Sequence, residues 1–302
     1  MKKFIKYVIL FVMPILVFMA ALEILVHTVP NSYSYKYNYV KNHGAEIKAV
    51  AVGHSQFFNC FKPDLFYLPS FNLSNSSQNY KDDYYVLREL MPYMPNLEMV
   101  LLPIGYLNVG FDLGFQQRSC FYHEYMNIDY DKQLPLDCRF ECFYVKKSAE
   151  KLYSYYFLHD DMLKCDSLGW RYGYLRDRAN PLGVNNLINS YTLDDDQEFF
   201  LGEEEYFETT VKLLEENDIR IVLVSPPYYW QCYDNTNYNQ QRWIKDYIAR
   251  FCERHPQILY IDYETDTVFE DCDFFDESHL SEIGVVKFMD KLNNDIINVV
   301  SQ

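Results

Sequence analysis

Short apolar runs alternate with amphipathic helical stretches along most of this chain, and that rhythm restricts the fold more than any other feature. Ile47–Val52 reads as a buried strand ending at Gly53-His54-Ser55-Gln56, and Phe71–Ser74 as a second, shorter one. An amphipathic helix follows from about Lys81 to Met91, stopped by Pro92 and Pro95. Glu98–Ile104 is a continuous apolar run, the pattern of a strand covered by helices on both faces. A helix over Glu203–Asn217 precedes a strand over Ile219–Ser225, which Pro226-Pro227 ends, and a helix over about Tyr238–Arg254 precedes a strand over Ile258–Asp262. A last helix, about Ser281–Val299, follows the acidic loop Asp271–His279. The alternation predicts an α/β domain, a doubly wound parallel sheet between two layers of helices.

The stretch from about 106 to 197 breaks this rhythm, being rich in Tyr, Cys and acidic residues with only a weak helical period near Lys146–Leu158. It reads as a large insertion after the third strand, ordered by its aromatic content and placed as a cap over the carboxyl edge of the sheet. At the amino terminus, Tyr7–Val29 is apolar except for Pro14, Glu23, His27 and Thr28, close to the ~20 residues that cross a bilayer. Lys2, Lys3 and Lys6 precede it, so the positive-inside rule keeps that end cytoplasmic and the folded domain extracytoplasmic. A cleaved signal peptide competes with this reading, but the length of the run and the lack of a clear A-x-A site favour an uncleaved anchor. The expected organisation is a cytoplasmic stub and transmembrane anchor over 1–29, a Ser-, Tyr- and Asn-rich connector over 30–46, and the α/β domain with its insertion over 47–302.

Charge and composition exclude several functions. The net charge of −16 would repel the phosphates of nucleic acid. Eight cysteines in an extracytoplasmic domain predict disulfides, above all within the insertion, with the pairing left open. Cys138-x3-Cys142 has no second Cys or His pair at ligand spacing, which argues against zinc, and the acidic loop Asp266–Glu277 lacks the spacing and central glycine of an EF-hand. No metal and no dissociable cofactor is expected. The 29 Tyr and 22 Phe suit a sugar-facing surface or a packed core equally well, and the same two readings hold for Trp170-Arg171-Tyr172-Gly173-Tyr174.

Ser55 falls at the carboxyl end of the first strand, where open α/β sheets collect ligands. Alone it reads more readily as a helix-capping serine. Asp276-Glu277-Ser278-His279 adds an acid and a histidine three residues apart in one loop, the base and orienting carboxylate that a nucleophilic serine needs. His54 receives no role, since a turn histidine is more often solvated.

Together these segments resemble the SGNH (GDSL) hydrolase superfamily. Its first block matches Gly53-His54-Ser55, and its last, Asp-x-x-His before a helix, matches Asp276–His279 with Leu280-Ser281 and Gly284 downstream. Asn72-Leu73-Ser74-Asn75-Ser76-Ser77-Gln78 stands in the second block, with Ser77 in place of the usual oxyanion-hole glycine. The Gly-x-Asn of the third block meets Gly105-Tyr106-Leu107-Asn108, where Asn108 lies one residue out of register. The resemblance implies a three-layer α/β/α, flavodoxin-like SGNH fold, a catalytic triad of Ser55, His279 and Asp276, and an oxyanion hole from Ser55, Ser77 and Asn108. With its single span, the chain is similar to membrane-anchored bacterial SGNH-like proteins of envelope O-acylation, such as the D-alanyl transfer protein of the teichoic-acid pathway. The implied function is an esterase or O-acyltransferase acting on an extracytoplasmic polysaccharide or other envelope glycan through an acyl-enzyme. The alternative is a non-catalytic accessory or glycan-binding protein that partners a membrane-bound O-acyltransferase.

Overall fold

The computed structural model describes residues 1–110, 117–132, 134, 138, 140–182 and 190–300. Part of the expected insertion therefore lies outside the described residues. The helices that matter below are α1 (Lys2–His27), α2 (Ser32–His43), α3 (Ser55–Cys60), α4 (Tyr80–Leu90), α5 (Gln117–Met126), α6 (Val145–Tyr153), α7 (Glu204–Glu215), α8 (Tyr238–Arg254) and α9 (Glu282–Val300).

Each apolar run forms a strand. β1 (Ala49–Ala51), β2 (Ser70–Asn72), β3 (Met99–Pro103), β4 (Arg220–Ser225) and β5 (Leu259–Asp262) make one parallel sheet in the order β2-β1-β3-β4-β5. The chain enters at β1, adds β2 on one side and then β3 on the other. The connections after β1 and β3 thus leave in opposite directions, opening a crevice at their carboxyl ends.

Alternate strand residues face opposite layers. Ala49, Ala51, Met99, Leu101, Val222 and Val224 pack against Phe57 of α3, Phe61 just after it, and Val285, Phe288 and Leu292 of α9. Alanines at β1 let α3, and with it Ser55, lie close to the sheet. Val50, Val100, Ile221 and Leu223 are equally buried on the opposite face. There α4 packs on α7, with the Tyr80 and Phe207 rings 4.9 Å apart. Each such side chain contributes about 1.5–3 kcal/mol when fully buried. Local chemistry sets the helix starts: Asn79 Oδ1 accepts from Asp82 N (2.9 Å) at α4, and Asn237 Oδ1 from Gln240 N (3.1 Å) at α8.

The chain divides into two compact units, one of Asn38–Gly114 with Cys165–Gln302, which holds the sheet, and one of Met1–Tyr37 with Phe115–Lys164. In the second unit the end of α1 is built into its surroundings. Leu22 and Val26 pack with Cys142, Met19 and Leu152, and a Glu23 carboxylate oxygen accepts from Cys142 N at 2.8 Å. His27 Nε2 lies 2.7 Å from Glu124 Oε1, and Thr28 Oγ1 lies 2.7 Å from Tyr156 Oη. A disulfide joins Cys120 to Cys138, within the stretch where pairing was expected. The residues read as a connector carry α2, although Ser, Tyr and Asn favour helix weakly. Burial decides there, since Lys36 and Val40 are fully enclosed.

Candidate active site

Ser55 owes its position to Gly53. That residue has φ +122°, and a Cβ on it would come within 2.3 Å of Pro103 Cγ, so only glycine turns the chain here. His54 then caps α3, its Nδ1 accepting from Gln56 N (3.4 Å), and Ser55 opens the helix. Ser55 Oγ lies 2.9 Å from His279 Nε2. On the other side of the ring, His279 Nδ1 is 2.9 Å from both carboxylate oxygens of Asp276. Asp276 Oδ1 also accepts from the backbone N–H groups of Ser278 (3.0 Å) and His279 (2.8 Å). Burial pushes this carboxyl up, but the imidazole and the two amides outweigh burial and hold it below its ordinary value. An ionised Asp276 assigns the Nδ1 proton, which leaves Nε2 as the acceptor facing Ser55.

Two residues that the sequence reading passed over explain why these distant segments meet. Gln56 and Asn59 stand three apart on α3, hence on one face of it. Gln56 Nε2 donates to Ser278 O (3.0 Å), and Leu280 N donates to Asn59 Oδ1 (3.0 Å), so α3 grips the loop on both sides of His279. Both side chains are buried. Their signal was a pair of amides, one directly after a candidate nucleophile and one a turn beyond it.

In the Trp170–Tyr174 cluster Tyr172 is exposed, while Trp170, Arg171 and Tyr174 are half-buried beside the relay. Trp170 Nε1 donates to Asn59 O, and the Tyr174 ring stacks on the imidazole of His279, with centroids 5.0 Å apart and planes 15° from parallel. Arg171 lies 5.1 Å over the Tyr174 ring and donates from Nη1 to Ser76 Oγ (3.0 Å). Burial pushes the Tyr174 phenol above its ordinary value.

Beside Ser55 is a cavity of about 80 Å³ whose walls include His54, Ser77, Asn108, Tyr191 and Glu203. Ser77 takes the left-handed conformation, φ +53°, that a glycine would adopt freely. Asn108 reaches the cavity despite its shifted register, because a tight turn over Tyr106–Asn108 carries it back. In that turn Gly105 N donates to Asn108 Oδ1 (2.9 Å). Glu264, another residue the sequence did not flag, pins the same turn. Its Oε1 accepts from Tyr106 N (2.8 Å), and its Oε2 accepts from Tyr233 Oη (2.8 Å) and pairs with Lys245 Nζ (2.5 Å). A Cβ at Gly105 would lie 2.4 Å from Glu264 Oε1. His54 is held neutral: desolvation first, then electrostatic repulsion between the two rings when both are protonated, lower its pKa to about 4.

No protein-family model matches the sequence, and no curated protein matches it. Two solved structures resemble the chain over most of its length. One is a "putative acylhydrolase" from Bacteroides fragilis, with 10% identity and a TM-score of 0.42 over 87% of this chain and 96% of the other. The second is a GDSL-like lipase from Bacteroides thetaiotaomicron, with 11% identity and a TM-score of 0.41 over 88% of this chain and 99% of the other.

Proposed function

We propose that this protein is an SGNH-type serine esterase or O-acyltransferase that works through an acyl-enzyme on an extracytoplasmic polysaccharide or other envelope glycan. The observation that carries the reading is the hydrogen-bonded relay from Ser55 Oγ to His279 Nε2 and from His279 Nδ1 to Asp276. In the first half-reaction Ser55 Oγ attacks the acyl carbonyl carbon while His279 Nε2 takes its proton. The oxyanion meets the backbone N–H groups of Ser55 and Ser77 and the Nδ2 of Asn108, whose Oδ1 is already engaged by Gly105 N. Collapse returns the proton from His279 to the leaving alkoxide and leaves an ester on Ser55. Water or a sugar hydroxyl, deprotonated by His279, then attacks that ester and restores the serine. The accessory reading rests on the shifted third block, and the position of Asn108 in the cavity beside Ser55 supports the catalytic reading over it.

The same reading keeps α1 as an uncleaved single-pass anchor, with the catalytic domain extracytoplasmic and within reach of a membrane-bound O-acyltransferase. It is supported by the packing of Leu22 and Val26 and by the bond from Cys142 N to Glu23, all of which cleavage would undo. The test is covalent labelling. A fluorophosphonate should modify the wild-type protein at Ser55, and Ser55→Ala and His279→Ala should each abolish the adduct. Folded wild-type protein that resists the probe would overturn the assignment.

A further inference from the structure

Taking α1 as a membrane span, as proposed above, the part of it that is open on every side is too short to cross a bilayer. Every side chain from Phe4 to Phe18 is exposed, whereas from Met19 onward one face of the helix, Met19, Leu22 and Val26, packs with Cys142 and Leu152 and the opposite face, with Ile24 and Leu25, stays open. Fifteen residues at 1.5 Å each cover about 23 Å, against a hydrocarbon core of ~30 Å. The missing ~7 Å falls at the level of Met19–Glu23, where the segment Glu141–Phe143 and α6 lie against the helix.

Those segments carry an apolar surface that no described residue of their own unit covers. Phe157 is 73% exposed and Phe143 53%, and Phe140, Tyr153 and Leu158 are likewise open. The rings pair among themselves, Phe140 edge-on to Phe143 at 5.8 Å and Tyr153 stacked on Phe157 at 5.5 Å. Lys146 and Lys147 stand exposed between the two pairs. Aromatic rings beside lysines, continuous with a membrane span, fit the boundary between acyl chains and headgroups.

We infer that Phe140–Leu158 is a second membrane element, lying in the outer boundary of the bilayer alongside the half-packed end of α1. Its occupant is lipid, and the rings and lysines hold the segment at a fixed depth.

Depth-dependent quenching of full-length protein in lipid vesicles tests this. Phe143→Trp and Phe157→Trp are compared with Val17→Trp on bare α1 and Tyr238→Trp on α8, each read as the increment over the parent chain. With lipids brominated near the headgroup, the added tryptophans at 143 and 157 should lose most of their emission, while that at 238 should lose none. Quenching at 17 with none at 143 or 157 would overturn the inference, assign the patch to a protein partner and leave the span intact. Absence of quenching at 17 as well would sink the anchor reading itself.

Discussion

At Asp276 an imidazole N–H and two backbone amides converge on one carboxylate, so its charge is the part of the site least open to substitution. Asp276→Asn should leave the fold intact and lower kcat about 10⁴-fold, because the amide favours the wrong imidazole tautomer; hydrolysis of a p-nitrophenyl ester measures it. Its lowered pKa also stabilises the fold at neutral pH, a contribution lost only as pH falls from the ordinary carboxylate range through the lowered value. His54 adds a second dependence of the same sign. Since its folded pKa is about 4 and an unfolded histidine titrates near 6.5, the unfolded chain binds more protons between these values and stability falls as pH drops. Asp83, pushed up by burial, works oppositely, so only a comparison isolates the histidine. His54→Asn, which keeps a capping side chain, should reduce the loss of urea resistance between pH 7 and pH 4.5, by at most about 3 kcal/mol. An unchanged pH slope would refute the assignment.

Among the elements, α3 and the turn after β3 set the geometry of the relay. Asn59→Ala removes the acceptor for Leu280 N, leaving a buried donor unpaired at about 1–3 kcal/mol. The freed loop should misplace His279, lowering kcat on the order of 10²-fold with KM little changed. A drop in thermal stability at full kcat would assign Asn59 a purely structural role. Gly105→Ala drives a methyl into Glu264 and should shift the turn that presents Asn108. A loss of about 10²–10³ in kcat is expected, the effect of one missing oxyanion donor. These elements differ in how plainly the sequence announced them. β3 is a continuous apolar run, β4 is apolar from Ile221 to Val224, and α8 spans the expected Tyr238–Arg254. By contrast α3 has only six residues, too few for a helical period to register, and α2 lacks an apolar stripe altogether.

Across the whole molecule, two units carry different stabilising devices. The Cys120–Cys138 disulfide spans 18 residues in the unit that includes α1, and a loop of that size is worth about 3 kcal/mol. Replacing both cysteines by serine should make Phe115–Lys164 more sensitive to protease, while fluorophosphonate labelling at Ser55 persists. What the sequence determined alone was whatever depends on neighbours along the chain. Apolar runs and their helical spacers dictated a parallel α/β sheet, Tyr7–Val29 dictated a long apolar helix, and Asp276 and His279 could pair because they stand three positions apart. Tertiary structure decided everything that joins remote segments. The 2.9 Å contact between residues 55 and 279, the return of Asn108 to the cavity under Glu264, and the Tyr174 ring on the imidazole all depend on side chains from elements far apart in the chain. Periodicity records which face of an element is apolar, and it holds no information about which buried amide or carboxylate will meet it across the crevice.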